Sequence, residues 1–197
     1  MNEQPELTPR TEAAPAAEKN KKGKDSGSEM LDWLQCIVSA LVACILVFTF
    51  AFRVAGVIGE SMLPTLEGGD RLIISKLFYT PKYGDIVVLR KEEFKSEPII
   101  KRVIATEGQT VDIDFEAGVV YVDGEALEEP YVNDLTHERE SFTEPVTVPE
   151  GCVFVMGDNR NRSTDSRYAA IGCVDTRLIL GKAYLRLTPI SRFGKIG

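Results

Sequence analysis

Two polar stretches and one lysine carry the residue types and spacing that can do chemistry. The first stretch is Gly59-Glu60-Ser61-Met62-Leu63-Pro64-Thr65-Leu66. A serine after a glycine-containing turn, with Pro64 forbidding regular structure beyond it, can present its hydroxyl and backbone N–H at one exposed corner. Such a hydroxyl is a weak nucleophile until a base stands within reach. Taken alone, a serine before a proline turn is ordinary loop chemistry. The second stretch is Gly157-Asp158-Asn159-Arg160-Asn161-Arg162-Ser163-Thr164-Asp165-Ser166-Arg167, directly after the apolar run Cys152–Met156. Its acids, amides and guanidinium groups suit either a solvated surface loop or a closed hydrogen-bond network that braces a neighbouring site. The lysine is Lys101, within Pro98-Ile99-Ile100-Lys101-Arg102-Val103-Ile104-Ala105, a run that is apolar except for its Lys-Arg pair. Alone, Lys101 reads as an outward-facing strand lysine, and strand alternation sends Arg102 to the opposite face.

The bases on offer narrow the chemistry. The only histidine, His137, lies in the polar run 134–140, a solvated loop by composition. A Ser-His-Asp triad needs an imidazole base and a HExxH zinc site needs two imidazoles, so neither is expected. The four cysteines lack CxxC spacing, which excludes a zinc ribbon. Cys36 and Cys44 read as small apolar residues of one apolar stretch. For Cys152 and Cys173 a disulfide and two buried free thiols both stay open. No metal and no cofactor is expected. A net charge of −7 and a pI of about 4.9 oppose a phosphate-tracking surface, which excludes nucleic acid as a partner.

The elements that must position these residues can be read from pattern. A chain of 197 residues suffices for one domain plus an appendage. Residues 1–30 contain no aromatic residue and no apolar period, and are expected to be a disordered tail. Residues 31–56 follow as an anchor, with no charge between Asp32 and Arg53, matching the roughly 20 apolar residues that a bilayer requires. A cleaved signal peptide has a shorter apolar region, roughly 7–15 residues, close behind the N-terminus. A helix that is apolar all round, preceded only by a polar tail, has little protein to bury it. Lys19, Lys21, Lys22 and Lys24 precede the span, which by the positive-inside rule keeps the N-terminus in the cytoplasm and puts residues 57–197 on the outer face. That domain is expected to be mainly β, from branched apolar runs at 71–75, 85–90, 98–105, 110–115, 119–123, 152–156 and 177–187 punctuated by Gly, Pro and Asp. A hairpin closing on Asp123-Gly124 is expected, within an inserted β and loop subdomain over 106–150.

Taken together, the stretches resemble the type I signal peptidase family, the Ser/Lys peptidases that remove signal peptides from exported proteins. Ser61–Leu66 resembles the nucleophile box, followed by Gly69-Asp70-Arg71. Tyr83-Gly84-Asp85-Ile86-Val87-Val88 resembles the next strand, Lys101–Ala105 the general-base box, and Gly157–Arg167 the last box. The resemblance runs in unbroken order over roughly residues 31–190. It implies a signal-peptidase-like β-rich domain behind one N-terminal transmembrane helix. Ser61 is then the nucleophile and Lys101 its base, an assignment that needs no histidine. Lysine is a poor base at its ordinary value of about 10.4, and lowering it to about 7–8 costs roughly 3–4 kcal/mol. The apolar setting of Lys101 supplies desolvation in that direction. The resemblance further implies that Ser163 orients the Lys101 amine, that Asp165 and Arg167 form a supporting ion pair, and that Asp158 and Arg102 support the same loop. Gly59 stands where Gram-negative relatives carry a serine and many Gram-positive ones a glycine, and Arg162 stands in place of a usual asparagine. The backbone N–H of Ser61, with the Gly59 backbone as a second donor, would then hold the oxyanion.

The same resemblance implies an extended substrate with alanine-like residues at the first and third positions before the cleaved bond. Val57, Ile58, Met62, Leu63, Ile86, Ile99 and Ile100 are the candidate substrate-binding residues. The implied partners are signal-peptide-bearing preproteins, the lipid bilayer and the protein export machinery. The implied location is a bacterial plasma membrane, where a tether raises the local concentration of membrane-held precursors. Two other readings stay open here. One is a self-cleaving Ser/Lys protein like the SOS-response repressors, which are cytosolic and so conflict with the anchor. The other is a catalytically silent anchored β-domain acting as an export adaptor.

Overall fold

The computed structural model describes residues 26–91 and 97–196. The tail expected over 1–30 lies outside the described residues as far as residue 25. From Ser26 the chain is already helical, with Glu29 in the first turn of helix α1 (Ser26–Ala51), where a carboxylate favours the helix N-terminus. At about 1.5 Å per residue, its 26 residues span more than the roughly 30 Å of a hydrocarbon core. The stretch Glu29–Ala51 has a mean hydropathy of 2.4, and its most apolar window buries none of its residues against protein. Ser39 and Thr49 each donate to the carbonyl four residues back, Gln35 and Ile45, both at 2.7 Å. The helix thus satisfies its own hydroxyls. By length and composition it is one helix able to cross a membrane. The chain divides into two compact units after Ala43; everything below concerns the second.

The helix expected over 31–56 ends at Ala51 instead. Residues Arg53–Gly56 form strand β1, in register with β2 (Arg71–Ser75) from Arg53↔Ile74 to Gly56↔Arg71. Two interactions explain the early end. The Ser75 hydroxyl donates to the Ala51 carbonyl at 2.6 Å, satisfying an acceptor that a finished helix leaves open. The ladder with β2 then offers the next residues backbone partners that a longer helix would forgo.

The remaining strands are β3 (Ile86–Leu89), β4 (Ile99–Thr106), β5 (Thr110–Asp114), β6 (Val119–Val122), β7 (Glu125–Ala126), β8 (Val146–Thr147), β9 (Cys152–Met156), β10 (Val174–Asp175), β11 (Ile179–Thr188) and β12 (Gly194–Lys195). One sheet has the order β1-β2-β11-β3-β4-β9-β10, with β12 on β11, and the other has β7-β6-β5-β8. Every pair is antiparallel. Strands β2 and β9 coincide with the expected runs. Strand β11 starts later than residue 177 because Thr176–Leu178 first wind a turn whose N-cap, Asp175, accepts from the Arg177 N–H.

Strand β3 shows why an apolar run without polar alternation is still a strand. Ile86 and Val88 enter one core cluster with Met62, Leu66 and Ile100. Val87 and Leu89 enter another with Val103, Val155 and Ile179, so both faces are covered. The expected hairpin on Asp123-Gly124 joins β6 to β7, Val122 facing Glu125. Residues 106–150 hold the smaller sheet and little regular structure after β7. That sheet is not a free-standing body: Val111, Val120, Phe142 and Val148 share a core with Ile104, Phe154 and Met156 of the larger one. Phe142 meets Phe154 edge to face, with ring centroids 6.1 Å apart. Cys152 and Cys173 pack on this cluster as free thiols, and burial pushes the Cys173 thiol up.

Phe154 is fully buried at the junction of the two sheets. Phe154→Ala is therefore expected to cost about 3–5 kcal/mol, read as a lower unfolding midpoint of the detergent-solubilised chain. Phe50→Ala, on the exposed helix, should leave that midpoint nearly unchanged.

Candidate active site

Ser61 sits in a tight turn wound between β1 and β2, with Leu63 N–H donating to the Glu60 carbonyl and Leu66 N–H to that of Met62. Met62 and Leu66 anchor the turn by their burial in the core. Gly59 precedes it at φ +85°, a left-handed conformation that any side chain would strain. Lys101 arrives from β4, opposite Val87 of β3. Its side chain is 3% exposed, and Nζ lies 2.8 Å from Ser61 Oγ. Among the described residues the Ser61 N–H has no partner within the protein, so hydroxyl, amine and a spare backbone donor converge on one corner.

A second loop holds that corner from outside. Asn159 N–H donates to the Ser61 carbonyl at 3.0 Å, and its side-chain amide donates to the Glu60 carbonyl at 3.1 Å. Thr65 Oγ1 donates to Asp158 Oδ2 at 2.5 Å. Gly157 has no room for a side chain: a Cβ there would fall on Ser163 Oγ and the Ser61 carbonyl oxygen. Its N–H donates to Asp165 Oδ2 at 3.0 Å.

Apart from the exposed Arg162 and Thr164, most of the polar run 157–167 is thus a buried network, and its buried charges are paired. Asp165 takes two bonds from Arg167, Nε and Nη2 each at 2.9 Å. Arg167 also donates to the carbonyls of Arg160, at 2.6 Å, and Glu138, at 2.7 Å. Arg102, on the face opposite Lys101, grips Asp158 with Nε at 2.8 Å and Nη2 at 2.6 Å, with both side chains nearly inaccessible. Arg160 holds Glu129 through two nitrogens at 2.6 and 2.5 Å. Tyr131 brings the insertion into this arrangement. The Arg102 guanidinium lies 3.9 Å from its ring centroid and that of Arg160 5.9 Å, while its hydroxyl donates to Glu129 at 2.8 Å. Burial, with Glu129 beside it, pushes the Tyr131 phenol far up, so it remains a donor at neutral pH.

Several expectations meet corrections here. Ser163 is buried, but among the described residues its hydroxyl has no hydrogen-bond partner, so the expected hydrogen bond to Lys101 is not made. That hydroxyl instead packs against Gly157, whose lack of a side chain leaves it room. A groove of about 250 Å³ runs up to Ser61 and Lys101, lined by Val57, Ile58, Gly59, Met62, Ile99 and Ile100 among others. Leu63 and Ile86 do not line it. Ile86 points into the core beneath, 2% exposed, and Leu63 lies beyond Met62 in the turn before Pro64. Val57, Met62 and Ile100 belong to the core and the groove at once. Asp158, Asp165, Arg167 and Arg102 all lie in the bracing network. His137 is exposed, its Nδ1 2.9 Å from the Phe115 carbonyl, and takes no part. Thr65, Glu129, Tyr131, Asn159 and Arg160 are the contributors that sequence reasoning missed. For Asn159 and Arg160 the polar density of the run was a signal; for the others there was none.

A β-rich chain with one apolar helix, and a serine hydroxyl joined to a buried lysine amine beside an open groove, has the form of a Ser/Lys serine peptidase. The family model described as signal peptidase, peptidase S26, matches residues 30–188. A probable signal peptidase I-1 of Synechocystis is 41% identical over 172 residues, 82% of this chain and 84% of that protein. A signal peptidase I of Bacillus licheniformis is 34% identical, covering 89% of this chain and 97% of that one. A crystal structure of a signal peptidase I from Enterococcus faecalis is similar at 30% identity, over 53% of this chain and 97% of that one, with a TM-score of 0.44. The chain belongs to the signal peptidase family, peptidase S26, and is a serine peptidase.

Two outcomes follow for the network. Glu129→Ala leaves the Arg160 guanidinium, whose side chain is inaccessible, without its carboxylate, and is expected to lower stability by about 3–5 kcal/mol in chemical denaturation. Burial alone would raise the Asp165 carboxyl, but the Arg167 bonds outweigh it and hold the group below the usual carboxylate range. Its folded value is then below its unfolded value. The stability it contributes is full above the unfolded value, near 3.9, and is lost as pH falls through the folded one. Asp165→Asn should flatten the acid limb of a pH–stability curve in that window and lower the plateau above it.

Proposed function

We propose that the chain removes N-terminal signal peptides from exported preproteins, with Ser61 as nucleophile and Lys101 as general base. The observation that carries this reading is the 2.8 Å contact between Lys101 Nζ and Ser61 Oγ at the end of an open groove. Burial disfavours the ammonium form of Lys101, which favours the neutral amine that a base must be. The amine takes the hydroxyl proton as Oγ attacks the carbonyl carbon of the scissile bond. The Ser61 N–H, with the Gly59 backbone as second donor, holds the oxyanion. Collapse of the adduct breaks the C–N bond, Lys101 returns the proton to the leaving amine, and an acyl-enzyme ester remains. Water, deprotonated by the same amine, hydrolyses that ester.

The groove supports an extended substrate running along 57–59 and 99–100. Small residues at the first and third positions before the cleaved bond suit pockets floored by core side chains. Residues 57–197 are the catalytic domain, with 106–150 as its insertion. Helix α1 is a single-pass anchor in a bacterial plasma membrane, N-terminus in the cytoplasm and catalytic domain on the outer face. The bilayer and the export machinery are its neighbours. The ion-paired loop around an intact Ser61 and Lys101 favours this over a silent adaptor.

The test is cleavage of a preprotein by the detergent-solubilised chain. Ser61→Ala and Lys101→Ala should each lose at least about 10³-fold in kcat/KM while keeping the wild-type melting temperature within a few degrees. Full activity in either variant would sink the assignment. An ascending pH–rate limb placed where exposed lysines titrate would contradict activation by burial.

A further inference from the structure

Arg162 has no place in the bracing network, yet it lines the groove together with Glu60, Ser61 and Thr164. Among the described residues its guanidinium makes one hydrogen bond, Nη1 to Glu60 Oε2 at 3.4 Å, and the two side chains are 75% and 65% exposed. An ion pair this long and this wet is weak. A guanidinium carries five N–H donors, so most of its capacity remains open to a second carboxylate.

Chain direction sets where on the groove Arg162 stands. Residues 56–61 run from Gly56 towards Ser61, and β4 runs from Ile99 towards Lys101, so both reach the hydroxyl–amine pair at their far ends. Val57 and Ile100 lie before that point and share one core cluster. Glu60 adjoins Ser61, is held there by Asn159, and is met there by Arg162. A peptide whose residues before the scissile bond lie along 57–59 and 99–100 brings the residues just after that bond to Arg162.

Charge pairing leaves Arg162 the guanidinium at the groove that faces solvent. Asp158 and Asp165 are committed to Arg102 and Arg167. When Lys101 takes the serine proton, the groove lining holds two cations, Lys101 and Arg162, and two carboxylates, Glu60 and Glu97, of which Glu60 is the one that meets Arg162. Among the unmodified side chains of a precursor, a carboxylate is the acceptor that matches the parallel N–H pair of a guanidinium. Resting on the peptidase reading above, we propose that Arg162 is a specificity determinant that selects precursors with an acidic side chain in the first two residues after the cleaved bond. Glu60 is the internal carboxylate that such a substrate displaces.

The experiment uses the full chain in detergent and three precursors identical except for Asp, Asn or Lys at both of those positions. The expected order of kcat/KM is Asp, then Asn, then Lys, with the extremes about 5-fold apart at low salt and converging near 0.5 M salt as the charges are screened. Arg162→Gln should level the series, Arg162→Glu should invert it, and Glu60→Gln should widen the gap by removing the competing carboxylate. Because Arg162 is exposed, an unchanged melting temperature of Arg162→Gln separates lost selection from lost folding. An Arg162→Gln enzyme that keeps the wild-type ratio, or a wild type that cleaves all three equally, overturns the selection and leaves the peptidase reading intact. A wild type that cleaves none of the three overturns that reading, and this inference with it.

Discussion

A lysine amine held out of water against a serine hydroxyl is an expensive arrangement, and much of the surrounding structure follows from it. Burial raises the cost of the charged form of such an amine, and the site gives it a hydrogen-bonding neighbour. The 2.8 Å contact from Lys101 to Ser61 supplies that neighbour. It also demands two independently placed segments, the turn after β1 and strand β4, in fixed relation. The core beneath Met62, Leu66, Ile86 and Ile100 sets that relation on one side.

On the other side the fold uses charge. Three guanidinium groups, on Arg102, Arg160 and Arg167, are almost wholly buried, and each meets a carboxylate in two-point geometry. Buried ion pairs add little net stability compared with apolar packing, but breaking one is costly. Their value here is directional: they fix Asp158, Gly157 and Asn159, which touch the Ser61 turn through Thr65, van der Waals contact and backbone hydrogen bonds. The insertion joins the same scheme. Glu129 and Tyr131 close over Arg160 and Arg102, so residues 106–150 hold the back of β4 as well as extending the core.

Arg162 marks the outer limit of this organisation. Its neighbours in sequence are drawn into the network, whereas its own side chain stays in solvent with one long contact. The contrast between paired, dry guanidinium groups and one wet guanidinium beside the groove separates residues that hold the site from a residue free to read what enters it.

The sequence by itself determined the apolar helix and most of the strands, and its resemblance to the family pointed to Ser61 and Lys101. The helix and the strands depend on local composition or on period: charge-free length for α1, and branched runs for β2, β3 and β9. It also indicated that 157–167 would be polar and dense. What it did not contain was partnership across distance. Glu129 lies 31 residues from Arg160 and Thr65 lies 93 from Asp158, and nothing in either neighbourhood names the other end. The end of the helix at Ala51, the empty hydrogen-bonding of Ser163, and the exclusion of Leu63 and Ile86 from the groove were likewise decided by tertiary structure. Periodicity tells which face a side chain takes, but the partner on that face is chosen by how the whole sheet folds over itself.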